Sequence, residues 1–135
     1  MKKIMPIFII TVYALLCMSC LCCVFVPNIR VKNSTKDTIL VSALWKKGKM
    51  NETCIRLEPD KVIYIAYGKG SVLIDSNDSD DDENAPVLNV KRAVKLKFKS
   101  PVAETMIVDK KNILHFINQE RVIITSSYDL PTLSR

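Results

Sequence analysis

Four cysteines lie within the apolar stretch "ALLCMSCLCCVF", residues 14–25, at Cys17, Cys20, Cys22 and Cys23. Thiols near a membrane boundary are acceptors for lipid chains. A disulfide framework or a metal centre would need several cysteines or histidines in the folded body, and only Cys54 and His115 lie there. The cluster therefore indicates membrane attachment, and Cys54 is predicted to be a single buried or unreactive thiol.

The segment around these cysteines has the features of a processed signal peptide. Two lysines precede an uncharged run over residues 4–26. A basic start, an apolar centre over residues 7–16 and the small Ser19 before Cys20 favour cleavage. "LLCMSC" resembles the lipobox of bacterial lipoproteins, and this resemblance implies cleavage before Cys20, diacylglyceryl transfer to its thiol and acylation of the new amine. Several acyl chains hold a soluble domain on a bilayer where one chain does not.

Two alternatives to lipidation remain open. One is ordinary signal cleavage, and the other is a retained anchor, because the 23 uncharged residues from 4 to 26 exceed the ~20 helical residues that cross a bilayer core. A retained anchor would make the chain a single-pass anchored or secreted glycoprotein of eukaryotic or viral origin. In that setting Asn33, Asn51 and Asn77, each in an Asn-x-Ser/Thr triplet, are candidate glycan acceptors.

The length of the chain limits it to one domain. It has 135 residues, 115 of them after Cys20, so one modest core is expected.

The chain has a formal charge of +6, and its basic residues concentrate only in "VKRAVKLKFKS", residues 90–100. A strand there is predicted to have two faces: Lys91, Ala93, Lys95, Lys97 and Lys99 on one, and Val94, Leu96 and Phe98 on the other. Lysines on an outer face keep a strand soluble; anionic lipid or polysaccharide is the alternative contact, and nucleic acid is not expected without interleaved aromatics.

A hydrophobic period of two recurs along the body and predicts short strands. They are "NIRVK", "TILVSALW", "TCIRL", "KVIYIAY", "SVLID", "PVLNV", "AVKLKFK", "ETMIV", "NILHFI" and "RVIITSS". "NILHFI" could instead be a helix capped by Asp109, with Ile113, Phe116 and Ile117 on one side, but its length favours a strand. The predicted fold is all-β: a single small antiparallel β-sandwich, or a partly open barrel, of about seven to nine short strands behind an N-terminal apolar signal or anchor helix.

The predicted domain organisation follows from these segments. Residues 1–19 are expected to form a lipoprotein-type signal peptide, residues 20–27 a lipid-anchored apolar tether, and residues 28–135 the β-domain, which contains a disordered acidic loop over residues 75–85. The loop has six carboxylates between Asp75 and Glu83. An EF-hand needs glycine at its sixth position and glutamate at its twelfth; counted from Asp75, Asp80 and Pro86 stand there. A solvated loop is expected, with no metal site.

Catalysis is not expected. His115 is the only histidine, so any Ser-His-Asp or Cys-His mechanism would depend on it, and it lies in the apolar string "NILHFI". No cofactor-binding motif is present.

Trp45, Tyr64 and Tyr67 could line a ligand groove, but aromatics on strands usually pack into the core.

Two further segments resemble small, largely uncharacterised β-rich lipoproteins of Bacteroidota. "VKNSTKDTILVSALW" resembles their opening strand, and "RVIITSSYDLPTLSR" resembles their ending. The resemblance implies a lipidated β-domain on the outer membrane of the cell envelope, on its periplasmic or its surface side, with no catalytic residues. Asp37-Thr38-Ile39 is also similar to the Asp-Ser/Thr-aliphatic acceptor for O-glycosylation in that phylum, which makes Thr38 a candidate acceptor. The expected function is a structural module, or one that binds a protein or glycan partner, attached to membrane lipid through the N-terminus.

Overall fold

Eight strands and one helix make up the part of the chain that the structure describes. The structure is a computed structural model and describes residues 25–47, 49–70 and 84–133. The strands are β1 (Asn28–Asn33), β2 (Ile39–Lys47), β3 (Lys49–Leu57), β4 (Val62–Ala66), β5 (Val87–Asn89), β6 (Lys95–Lys99), β7 (Glu104–Val108) and β8 (Arg121–Ile124), and the helix is α1 (Lys110–Ile117). The prediction of a mostly β fold is confirmed. The predicted strand "SVLID" lies outside the described residues.

The strands form two four-stranded sheets. The first sheet has the order β5-β4-β1-β8, and the second has the order β3-β2-β6-β7. Every ladder of the second sheet is antiparallel. In the first sheet β1 is antiparallel to β4 but parallel to β8, and β4 is parallel to β5. The prediction of a wholly antiparallel fold was therefore wrong for two ladders, because parallel neighbours arise through long crossover connections that strand periodicity does not reveal.

Both sheets contribute to one hydrophobic core. Alternate residues are buried on β1, where Ile29 and Val31 are fully buried, and on β6, where Leu96 and Phe98 are fully buried. All four belong to one cluster, which extends over both sheets and α1. The described parts of both sheets and α1 therefore share one core. The described strands do not close into a barrel, since β5 and β8 remain the edges of the first sheet, and β3 and β7 those of the second.

Helix α1 replaces the strand predicted for "NILHFI". Ile113, Phe116 and Ile117 are fully buried, and His115 is exposed. A strand would have placed residues 113, 115 and 117 on one face, whereas helical spacing groups 113, 116 and 117. Asp109 does stand at the N-cap, but with φ 74° and without a side-chain capping hydrogen bond. The strand prediction was wrong because six residues are too few for either period to be distinctive.

Candidate functional site

The apolar N-terminal segment joins the domain at a fixed point. The Tyr67 N–H donates to the Pro27 carbonyl at 2.9 Å, and Val26 is 9% exposed. A Cβ at Gly68 would lie 3.6 Å from Val26 Cγ1, and Gly68 has φ 124°, a conformation that favours glycine. Phe25, one residue before, is 56% exposed. The chain is thus held against the end of β4 up to Val26, while Phe25 projects into solvent. The predicted lipid acceptor, Cys20, lies outside the described residues.

Asn33 is the centre of a buried polar cluster at the end of β1. Its side chain is 0% exposed. Its Nδ2 donates to the carbonyl of Asp37 at 2.7 Å and to that of Leu57 at 2.9 Å. Its Oδ1 accepts from the Thr35 N–H at 2.9 Å and from the Thr35 hydroxyl at 2.6 Å. The amide therefore closes the turn between β1 and β2 and ties that turn to the end of β3.

This geometry bears on the three predicted N-glycan acceptors. In the folded domain both Nδ2 hydrogens of Asn33 are directed at main-chain carbonyls, and a glycan would have to replace one of them. Asn51 lies on β3 and is exposed, which leaves its amide accessible. Asn77 lies outside the described residues. Thr38, the predicted O-glycan acceptor, is half-buried immediately before β2.

A second polar contact ties the C-terminal segment to the same turn. The Ser127 hydroxyl donates to Asp37 Oδ2 at 2.5 Å, and the Ser100 hydroxyl donates to the Ser127 carbonyl at 2.5 Å. A catalytic serine needs a base that accepts its proton and a third group that orients the base. His115 is exposed on α1, so it does not complete such an arrangement. The contact is best explained as a structural clasp.

We expect Ser127→Ala to lower the free energy of unfolding by about 1–2 kcal/mol, because it removes a hydrogen bond to a half-buried carboxylate. The Ser127 carbonyl, which Ser100 contacts, is unchanged. Urea unfolding followed by the fluorescence of Trp45, the single tryptophan, measures the effect. Ser34→Ala, at an exposed serine of the same turn, is the control and should cost less than about 0.5 kcal/mol. Equal losses for the two variants would contradict the clasp.

The rows that cross β2 from Leu40 to Leu44 on the outer face of the second sheet contain four basic side chains, which we call the basic face: Arg56 on β3, and Lys95, Lys97 and Lys99 on β6. Lys46, farther along β2, lies on the same face. Leu40 on β2 pairs with Arg56 on one side and with Lys99 on the other, so the two cations flank it. Lys95 and Lys97 are half-buried, and Lys99 is exposed. Arg56 could not be assigned to this face from the sequence, because strand register is not visible there.

Acidic and small residues complete this face. Glu52 Oε1 lies 3.9 Å from Lys97 Nζ, a distance at which solvent-exposed charges interact weakly. Ser42, on the central strand β2, pairs with Cys54 on one side and Lys97 on the other, and it is 1% exposed. The outer face of β2 is therefore buried at Ser42 and Leu44, which lie between the flanking residues of β3 and β6.

Two predictions for this region need correction. The alternation of lysines is confirmed from Lys95 to Lys99, but Lys91 and Ala93 do not continue it: the Ala93 N–H donates to the Val90 carbonyl in a turn, and Ala93 is buried. Cys54 was predicted to be buried or unreactive, yet it is exposed. It lies on the edge strand β3, and its register with Ser42 places it on the outer face.

The three aromatic residues for which a ligand groove was the alternative to core packing do not lie on one sheet. Trp45 lies on β2, and Tyr64 lies on β4 in the other sheet. Trp45 and Tyr67 pack against the core, and Tyr64 is 2% exposed, on the strand face opposite Ile63 and Ile65. These three side chains do not line one open groove.

Within residues 25–47, 49–70 and 84–133, no group of three or more histidine, cysteine or carboxylate side chains could hold a metal ion. The carboxylates of the acidic loop, Asp75 to Glu83, lie outside those ranges. Among the helices of the same residues, none has both the length and the apolar character needed to cross a bilayer.

Comparisons with protein-family models, with curated proteins and with solved structures find no significant match to this chain. The functional conclusion therefore depends on the residues of the chain itself.

Proposed function

We propose that this chain is a lipoprotein of the cell envelope, attached to the outer membrane by lipid on Cys20, and that its β-domain is a non-catalytic module that binds a protein or glycan partner or has a structural role. The observation that carries the proposal is the junction at residues 25–27. An apolar segment with lipobox-like cysteines leads directly into Phe25, which is exposed, and then into Val26 and Pro27, which are held on the domain. Burial of such a phenylalanine in an apolar environment is favourable by roughly 1.5–3 kcal/mol, which supports a domain that begins at the membrane surface.

We further infer that the two sheets stack face to face as a β-sandwich. Support comes from the core cluster, to which the inner-face residues of both sheets contribute, among them Ile29 and Ile63 of the first sheet and Val41 and Phe98 of the second. Face-to-face stacking about 10 Å apart lets two such faces interdigitate. In this arrangement the outer face of the second sheet keeps exposed side chains on β3, β6 and β7, whereas β4 of the first sheet is buried on both faces.

The interior polar groups also favour a binding role over a catalytic one. Asn33 and Thr35 are buried and hydrogen-bonded within the turn that they close. Ser100 and Ser127 are engaged with the same part of the fold. Their hydrogen bonds stabilise the fold, so these polar side chains are not available for acid–base chemistry.

Metabolic labelling with palmitate in a Gram-negative host tests the attachment. We expect membrane-fraction protein to carry the label and to have an intact mass that begins at an acylated Cys20. In Cys20→Ala the label should be lost, because the thiol that receives the diacylglyceryl group is gone. Cys22→Ala and Cys23→Ala are matched controls that should keep it. Label that persists in Cys20→Ala, or a mass that still includes Lys2, would contradict the proposal; the second result would support a retained anchor.

A further inference from the structure

The basic face has a regular spacing of positive charge. Alternate residues of a strand lie about 6.8 Å apart, so Lys95, Lys97 and Lys99 extend over about 14 Å along β6. Arg56 lies two strands away from Lys99, at about 10 Å, with Leu40 between them. The four cations therefore cover a flat area rather than a line, which suits a planar array of anions.

The acidic residues of the same face do not cancel this charge. Glu52 lies near Lys97, and Glu104 pairs with Lys99 in the β6–β7 register. Against these two carboxylates stand the four basic side chains, so the face has a net positive charge. Charge complementarity requires a partner with several negative groups.

Exposed apolar side chains border the lysines. Met106 is 41% exposed and Val108 is 42% exposed. Met106 is opposite Lys97 and Val108 is opposite Lys95 in the register of β6 and β7, so they share the outer face. A surface that combines cations with apolar side chains fits the boundary between lipid headgroups and acyl chains. A soluble polyanion would satisfy the lysines but would leave Met106 and Val108 in water.

We propose that the basic face, together with Met106 and Val108, lies against an anionic lipid bilayer and so orients the domain on the membrane. This inference rests on the proposed attachment of the chain to a membrane. Each basic residue near an anionic surface contributes favourably, and salt screens the contribution. The lipid anchor would supply the affinity, and the basic face would determine which side of the sandwich faces the lipid.

Cys54 provides the probe, because it is exposed and shares a cross-strand row with Ser42 and Lys97. The full acylated chain is reconstituted in vesicles of phosphatidylcholine alone, or with added phosphatidylglycerol, and treated with a membrane-impermeant maleimide. Peptide-level mass spectrometry then gives the alkylation rate of Cys54 separately from that of the leader cysteines. We expect the rate to fall by about fivefold or more in the anionic vesicles, and the fall to disappear at high salt.

Two triple variants, each with three fewer positive charges, separate the effect of the basic face from the effect of net charge. Lys95→Gln, Lys97→Gln and Lys99→Gln together should remove the protection of Cys54. Lys61→Gln, Lys110→Gln and Lys111→Gln, at exposed lysines away from this face, should retain it when combined.

The remaining outcomes decide between the inference and its alternatives. Vesicle flotation with the same Cys54 rate in neutral and anionic vesicles would overturn the inference and leave the anchor intact. Failure of the chain to float with either vesicle would overturn both. Protection by a soluble acidic polysaccharide, without protection by anionic vesicles, would assign the basic face to a glycan partner and overturn the lipid contact.

Discussion

Replacing Asn33 by alanine is expected to lower the free energy of unfolding by about 3–5 kcal/mol, because buried polar groups that lose their partners each cost about 1–3 kcal/mol. The side chain is 0% exposed and satisfies groups on three residues: the carbonyls of Asp37 and Leu57, and the N–H and hydroxyl of Thr35. Alanine would leave a cavity at this buried position, and a water molecule could enter it only if the surrounding side chains moved apart. The loss would be a large share of the ~5–15 kcal/mol by which such domains are stable.

Urea unfolding followed by Trp45 fluorescence measures this loss. Asn51→Ala is the matched control, since Asn51 also stands in an Asn-x-Ser/Thr triplet but is exposed on β3; its effect should stay within about 0.5 kcal/mol. Should Asn33→Ala fail to fold, Thr35→Val provides a milder test. It removes only the hydroxyl of Thr35 and should cost about 1–2 kcal/mol. If Asn33→Ala costs no more than Asn51→Ala, the buried network does not stabilise the fold.

The period of two located β1 to β8 but also predicted a strand where α1 lies, and it left the partners and directions of the strands undetermined. "NIRVK" predicted β1, and its buried Ile29 and Val31 follow the expected alternation. The same residues contain no signal that β1 runs antiparallel to β4 and parallel to β8. Side-chain alternation is a local property, whereas strand direction depends on the path of the connecting segments.

The candidate sites were harder to predict because they depend on register. Lys95, Lys97 and Lys99 are consecutive alternating residues, so their shared face follows from local geometry. Arg56 joins them only through the pairing of β3 and β6 with β2. The same register places Cys54 on the outer face, where it is exposed. For Asn33 the signal was present, since the sequence "NSTKD" has the residue types that close turns through side-chain hydrogen bonds, but a triplet that also fits glycosylation masked its structural role.

Phe116→Ala is expected to cause the second large loss in the free energy of unfolding, and the result distinguishes helix α1 from the strand predicted there. Phe116 is 0% exposed, and its ring meets that of Phe98 edge to face, with centroids 5.7 Å apart and planes at 62°. Truncation of a buried phenylalanine costs about 3–5 kcal/mol, and the aromatic pair adds about 0.5–1.5 kcal/mol. The contact joins α1 to β6 of the second sheet, so its loss should weaken the closure of the core.

The neighbouring residue supplies the control, because the helix and the strand assign opposite environments to residues 115 and 116. In α1, His115 is exposed, so His115→Ala should change the free energy of unfolding by less than about 0.5 kcal/mol, while Phe116→Ala destabilises the chain severely. In a strand, residue 115 would share the inner face with Ile113 and Ile117, and Phe116 would face solvent. Urea unfolding of the two variants side by side measures this order. A larger loss for His115→Ala than for Phe116→Ala would refute the helical register, because it would mean that residue 115 is buried and residue 116 is exposed.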